Sequence, residues 1–163
     1  ENHTSLETDA FYTDEPTETN EEYLNAWQRG CTGFAYVDAC QRFLHQTGWL
    51  NMRARATLVS FACVQLGLPW RPVALYLAQQ FLDFEPAIHY GQVRIASGTS
   101  HFSQMLVYDP LTQQAEQDPK GEFVKRWLPE FGTVAYPEPI VDNTESLKQG
   151  KARLHAMRQN PRL

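Results

Sequence analysis

Arg53 and Arg55 stand two residues apart where a helix begins, in the run GWLNMRARATLV. That end of a helix carries the positive pole of its dipole, so cations there need carboxylate or phosphate partners. Two acids, Asp83 and Glu85, are delivered where the following helical pattern stops. His89 and His101 have the chemistry of acid–base groups or metal ligands. No partners with ligand spacing accompany them, so hydrogen bonding in the core or to solvent is their expected role, and no metal site is expected. Cys31, Cys40 and Cys63 form no C-x-x-C pair and leave an odd count, which suits free thiols in a reducing compartment, cytoplasm or organelle stroma. Trp49 and Trp70 have rings that carry electrons, yet a helical core needs such rings for packing alone, and core positions are expected for both. Lys148, Lys151, Arg153, Arg158 and Arg162 make a basic stretch without interleaved aromatics, so a solvated helix face is expected rather than a nucleic-acid strip.

The elements that position these residues follow from apolar periodicity and from Gly and Pro punctuation. EEYLNAWQR is a short helix over 21–29 stopped by Gly30, with Thr32 as the cap of the next helix. That second helix runs from about Phe34 to Gln46, its stripe formed by Phe34, Val37, Cys40/Gln41 and Phe43/Leu44, and Gly48 ends it. The third, Asn51 to Leu66, is apolar on most sides and belongs in the middle of a helical domain. The fourth starts at Trp70-Arg71-Pro72 and reaches about Leu82, and Pro86 blocks its continuation. A short helix near 87–95 and then an irregular packed connection are expected. Asp118-Pro119 opens a helix through Leu128 that Pro129 halts, and a last helix spans about Thr144 to Arg158. Strand periodicity and internal repeats are missing, so the class is all-α.

A chain of 163 residues makes one domain with a real core. Charge divides it unevenly. Residues 1–22 hold eight of the nineteen acids and no Lys or Arg, and the remainder sets fourteen Lys and Arg against eleven acids, about +3. Residues 1–20 therefore read as an acidic extended arm, and 21–163 as the helical domain. Such an arm on a weakly basic body suits a protein partner in a larger assembly better than nucleic acid. No apolar run has membrane-spanning length, so an integral membrane protein is not expected, although peripheral attachment to a larger complex is compatible.

Six stretches, in order, resemble the C-terminal, FAD-binding helical region of the DNA photolyase and cryptochrome family: G-x-TGF-x-x-VDA (Gly30 to Ala39), QTGWLNMRAR (Gln46 to Arg55), PWRPVALYLAQQFLDFEP (Pro69 to Pro86), IHYGQ (Ile88 to Gln92), YDP-x-x-Q (Tyr108 to Gln113) and DPKGEFVKRWLPEF (Asp118 to Phe131). The resemblance implies a cluster of helices that in the family wraps FAD. It implies that Arg55 and Asp83 form an ion pair against the flavin ring, that Glu85 lies near the ring edge and ribityl region, and that His89 belongs with the cofactor-binding residues. By the same resemblance Met52 stands where many family members place Asn, Asp or Cys opposite flavin N5. Trp70 matches a member of an electron-carrying tryptophan chain, and Arg53 a residue near the substrate phosphate.

The departures shape the functional expectation. Stretches resembling the family's antenna domain and its FAD-phosphate turn are not found in this chain, and Met52 cannot donate a proton. Ser97-Gly98-Thr99-Ser100 is the only phosphate-loop candidate, and a plain loop is expected there. The expectation is a non-catalytic structural or protein-interaction subunit without a cofactor, leaning away from an enzyme and assigning no catalytic residue. The alternatives are an FAD-binding, blue-light-responsive flavoprotein and a residual DNA-binding module.

Overall fold

A computed structural model describes residues 18–100 and 104–159. The expected arm and His101 fall largely or wholly outside the described residues. Among the described residues there are eight α-helices, one π-helical segment and no strand: α1 (Glu21–Arg29), α2 (Ala35–Thr47), α3 (Met52–Ser60), the π segment (Phe61–Gln65), α4 (Trp70–Gln80), α5 (Pro86–Ala96), α6 (Pro110–Gln117), α7 (Glu122–Trp127) and α8 (Asn143–Gln159). The class is all-α, as the sequence pattern implies.

The chain's caps explain where most of these helices begin and end. Asn20 accepts from the Tyr23 N–H at 3.1 Å to open α1. Thr32 is not the cap of α2, whose N-cap is Phe34. The Thr32 hydroxyl accepts from the Phe34 N–H at 3.2 Å and donates to Asp38 at 2.7 Å. Fully buried Asp38 also accepts from the Thr32 and Gly33 N–H groups and from the Tyr136 hydroxyl, so one carboxylate ties the α1–α2 turn to the segment after α7.

Helix α3 and the π segment form the centre, with Leu58, Phe61 and Ala62 fully buried. A π turn leaves backbone groups displaced from the regular i to i−4 ladder. Helix α8 supplies the compensation: Arg153 Nη2 donates to the Val64 carbonyl at 2.5 Å. Arg153 is therefore committed to the backbone rather than being part of a purely solvated basic face. Gly150 permits the approach, since a Cβ there would lie 2.3 Å from the Val64 oxygen.

Two other expectations need correction. Pro86 does not act as a stop but occupies the first turn of α5, where its missing N–H costs nothing and Glu85 caps the helix. The stretch expected to be irregular up to Asp118 contains α6, opened by Asp109 and Pro110. Among the described residues no helix is long and apolar enough to cross a membrane.

Candidate functional site

The α2–α3 corner and the α4–α5 connection face each other across a cleft. Gly48 ends α2 with φ 69°, in the left-handed region, and its carbonyl accepts from the Leu82 N–H at 3.0 Å. A Cβ on Gly48 would meet Leu82 Cγ at 2.5 Å, so glycine is required by both conformation and space. Asn51 then caps α3 by accepting from the Ala54 N–H at 2.9 Å. One hydrogen bond thus joins the two walls, and one cap sets the direction of the helix carrying both arginines.

Arg55 is fixed from three sides. Its Nε donates to the Leu50 carbonyl at 2.7 Å, its Nη2 donates to the two Asp83 oxygens at 3.0 and 2.7 Å, and its guanidinium carbon lies 4.0 Å from the Phe81 ring centroid. The guanidinium holds the Asp83 carboxyl below the usual carboxylate range, chiefly through that hydrogen bond. Glu85 is occupied as the cap of α5, accepting from the Ile88 N–H at 2.8 Å. His89 uses Nε2 against the Ala74 carbonyl at 2.8 Å, which makes Nδ1 the ring's acceptor. Phe81, Phe84 and Tyr90 pack edge-on to the His89 ring. Burial pushes the imidazole below its ordinary pKa, so at neutral pH the ring is uncharged.

The enclosed space is about 470 Å³ and mostly apolar, with Met52, Arg55, Asp83, Glu85 and His89 among its walls. All five residues named as cofactor-binding therefore share one cleft. Met52 is 54% exposed. Trp70 does not line this cleft but is 2% exposed in the core, with the Arg71 guanidinium 4.7 Å from its ring. Arg53, on a different side of α3, approaches Gln113 and Glu116 of α6 at 3.5 and 3.4 Å. Both arginines thus have the carboxylate partners that the helix dipole demands.

Several contributors are not legible in the sequence. Trp49, expected in the core, is 51% exposed beside the cleft, because the left-handed turn at Gly48 carries it off the buried stripe of α2. Ile88 and Phe84 add further exposed apolar surface, at 63% and 38%. Phe81, Gln92 and Val93 complete the lining from α4 and α5. Their helical spacing is readable, but a core face and a cleft face look alike in a periodic pattern. Among the described residues no cluster of His, Cys, Asp or Glu is placed to hold a metal, and the three cysteines are free.

The donor set fits the ring system of a flavin. A flat heteroaromatic ligand calls for apolar walls and a few fixed polar groups. Here those groups are an ion pair, the neutral His89, and Asn51 and Gln92. The expectation that no cofactor is held finds no support in this arrangement.

Comparison with known proteins gives the same frame. Residues 2–135 match the family described as the FAD binding domain of DNA photolyase. The Escherichia coli deoxyribodipyrimidine photo-lyase is 32% identical over 163 aligned residues, covering 87% of this chain and 34% of that protein. A tomato (Solanum lycopersicum) cryptochrome DASH is 35% identical over 109 residues, covering 66% of this chain and 19% of that protein. A crystal structure of an archaeal photolyase from Sulfolobus tokodaii, described with two FAD molecules, superposes with a TM-score of 0.85 at 28% identity, covering 93% of this chain and 39% of that one. The chain spans about a third of the length of the E. coli relative. With most of its length matched by the family model and its helices by a solved structure, this chain belongs to the family of the FAD binding domain of DNA photolyase.

Proposed function

We propose that the cleft between the α2–α3 corner and the α4–α5 connection seats the flavin ring of FAD, and that the chain is the flavin-binding part of a light-responsive photolyase- or cryptochrome-like protein. The observation that carries this reading is the convergence of Arg55, Asp83, Glu85, His89 and Met52 on one mostly apolar space of about 470 Å³. Flavin, when bound, supplies light absorption and one-electron chemistry. The chain's own residues would supply orientation and exclusion of water. Arg55, pinned at Leu50 and Asp83, offers a positive charge that cannot swing away. His89 offers an acceptor nitrogen of settled tautomer, and Trp49, Met52 and Ile88 offer apolar surface that a ligand would cover.

The experiment is a titration of the purified chain with FAD, followed by flavin fluorescence and induced circular dichroism, with Ile88→Arg as the blocked control. Saturable binding that Ile88→Arg abolishes supports the reading. Absence of binding to the native chain overturns it.

A second reading, a non-catalytic interaction subunit, draws on the same exposed apolar rim, which a protein partner could cover instead. It would apply if FAD fails to bind and a partner protects Trp49 from solvent quenchers. Docking through the acidic arm, a reducing compartment and peripheral attachment to a complex belong with that reading. DNA binding through Arg53 draws little support, because Glu116 already lies beside its guanidinium. A photolyase-type repair reaction is not proposed for this chain alone.

A further inference from the structure

A second cavity, of about 210 Å³, lies behind the corner that forms one wall of the cleft. Trp49, Leu50 and Asn51 border both spaces. Beyond them the two diverge around α3. Ala54 lines the second cavity, whereas Met52, Arg55, Ala56 and Val59, which line the cleft, lie roughly 100–200° further round the helix. The second cavity is rooted in the core, with Tyr36, Cys40 and Ala54 only 4%, 1% and 2% exposed. Phe43 and Phe123 add two more rings beside Trp49, and the exposed Asn51 and Gln117 mark its solvent side.

The polar groups of this cavity offer protons rather than charge. The Asn51 side-chain oxygen already accepts from the Ala54 N–H, so its NH2 is what remains for a ligand. The Tyr36 hydroxyl and the Cys40 thiol are hydrogen-bonded to each other, which uses one of their two protons and leaves the other able to donate. Burial above all keeps both groups protonated, pushing the Cys40 thiol up to about 12 and raising the Tyr36 phenol as well. The Asp118 carboxylate, held by the Phe123 and Val124 N–H groups at 3.1 and 2.9 Å, acts on both in the same direction. At Tyr36 the opposing effect of Arg53 is smaller. A negative field therefore reaches the buried end of the cavity, and anions are disfavoured there. An apolar cavity of about 150 Å³ holds benzene, so one of about 210 Å³ has room for part of a second ring.

We infer that this cavity is a second binding site, separate from the cleft, for a neutral heteroaromatic compound of one or two rings that carries a pyridine-type nitrogen. Tyr36, Phe43, Trp49 and Phe123 supply aromatic contact, which stabilises a bound ring beyond the area it buries. The ring nitrogen accepts from the Asn51 amide or from the proton left over at the Tyr36–Cys40 pair. The field of Asp118 rejects carboxylates and phosphates, so the site selects a different class of compound from FAD or a nucleic-acid backbone. An occupant also covers part of Trp49, whose 51% exposure the fold leaves uncompensated. None of this rests on a flavin in the cleft.

The test titrates the full chain, free of flavin, with quinoline, naphthalene and naphthoate, followed by calorimetry and amide NMR spectra. Quinoline should bind saturably, one to one, and shift the amide signals of Cys40, Asn51, Ala54 and Gln117. Naphthalene has the same shape without the nitrogen, and loss of one hydrogen bond should weaken it roughly two- to tenfold. Naphthoate should not saturate. Gln117→Phe, at an exposed position, fills the solvent side and should abolish quinoline binding, whereas Ile88→Arg, on the cleft rim, should leave its Kd unchanged. Circular dichroism verifies the fold of both variants, and the NMR shifts locate the probe without either. Absence of saturable quinoline binding overturns the proposal, as does binding that survives in folded Gln117→Phe or is lost in Ile88→Arg. Naphthalene or naphthoate binding as tightly as quinoline overturns the assigned ligand class. Failure of FAD to bind bears on the cleft alone and leaves these outcomes to decide the second site.

Discussion

The Arg55–Asp83 pair can be a structural brace, a ligand clamp, or both, and a double-mutant cycle distinguishes these. The Arg55 side chain is 20% exposed and that of Asp83 49%. With one partner half in water, screening limits the pair to about 0.2–1 kcal/mol. The bond from Nε to the Leu50 carbonyl adds about 0.5–1.5 kcal/mol, and stacking on Phe81 about 0.5–1 kcal/mol. Arg55→Met loses all three, so it should destabilise the chain by roughly 2–3 kcal/mol, whereas Asp83→Asn should cost about 0.5 kcal/mol. At about 2–4 °C per kcal/mol for a chain of this size, the melting temperature falls by ~4–12 °C in the first and ~1–2 °C in the second. The coupling energy should not exceed about 1 kcal/mol. A ligand clamp adds a second signature. Losing a charge-assisted contact to bound FAD costs about 1.5–3 kcal/mol, a roughly ten- to hundredfold weaker Kd. Thermal melts and FAD titrations of the four proteins in the cycle measure both quantities. Unchanged FAD affinity in folded Asp83→Asn would refute contact between the pair and the flavin, and a coupling energy above ~2 kcal/mol would refute the screening argument.

Gly150→Ala places a Cβ 2.3 Å from the Val64 oxygen, and the offending atom is backbone, so α8 must shift. Overpacking of this kind costs about 1–3 kcal/mol, against which better helix propensity returns up to about 1 kcal/mol; a lower melting temperature and faster amide exchange in α8 are expected, and an unchanged melt would contradict the packing. His89 and His45 are both held below their ordinary pKa by burial. The unfolded chain then binds more protons than the folded one, so stability is complete above about pH 6.5 and is lost as pH falls through the folded-state values. Urea melts of His89→Asn and His45→Gln should each show a flatter dependence across this interval than the native chain, and an unaltered slope in both would refute the assignment. The carboxyls of Asp83, lowered by Arg55, and of Glu130, lowered by its hydrogen bond from Arg42, act only at more acid pH, below about 4.5.

How much of this is legible in the sequence depends on whether the cause is local. The α1 helix is readable because Asn20, the Leu24–Trp27 face and Gly30 act within its own span. The α6 helix escapes a periodicity reading because PLTQQAEQ offers little apolar repeat, although Asp109 followed by Pro110 is a cap and a first-turn proline that signal its start. The same proline grammar is ambiguous at Pro86, where a stop and a start share a residue type. The π segment is not legible at all. Its altered hydrogen bonding is supported by Gly150 and Arg153 from far along the chain, and no pattern within FACVQ announces them. In the site, the need of Arg53 and Arg55 for acids follows from the helix dipole, but the choice of Glu116 for one and Asp83 for the other is tertiary. Trp49 departs from its expected core position for the same reason, since its exposure follows from a backbone turn rather than from its type.

These causes also decide what the presence of the cleft means. Glu85 caps a helix, Gly48 admits Leu82, Asn51 caps α3 and Arg55 closes on Leu50, so most of the frame is needed for folding whether or not a ligand binds. The presence of these residues therefore says little about function. The rim is different. Trp49, Met52 and Ile88, all more than half exposed, contribute less to the fold than buried residues of the same type would, and exposed apolar surface is a cost unless something covers it. Polar replacement at the rim, as in Ile88→Arg, should leave the melting temperature nearly unchanged while removing whatever occupies the cleft. A frame that survives and a rim that responds would mark a binding site. A rim whose replacement leaves every bound partner in place would reduce the cleft to a by-product of the helix packing.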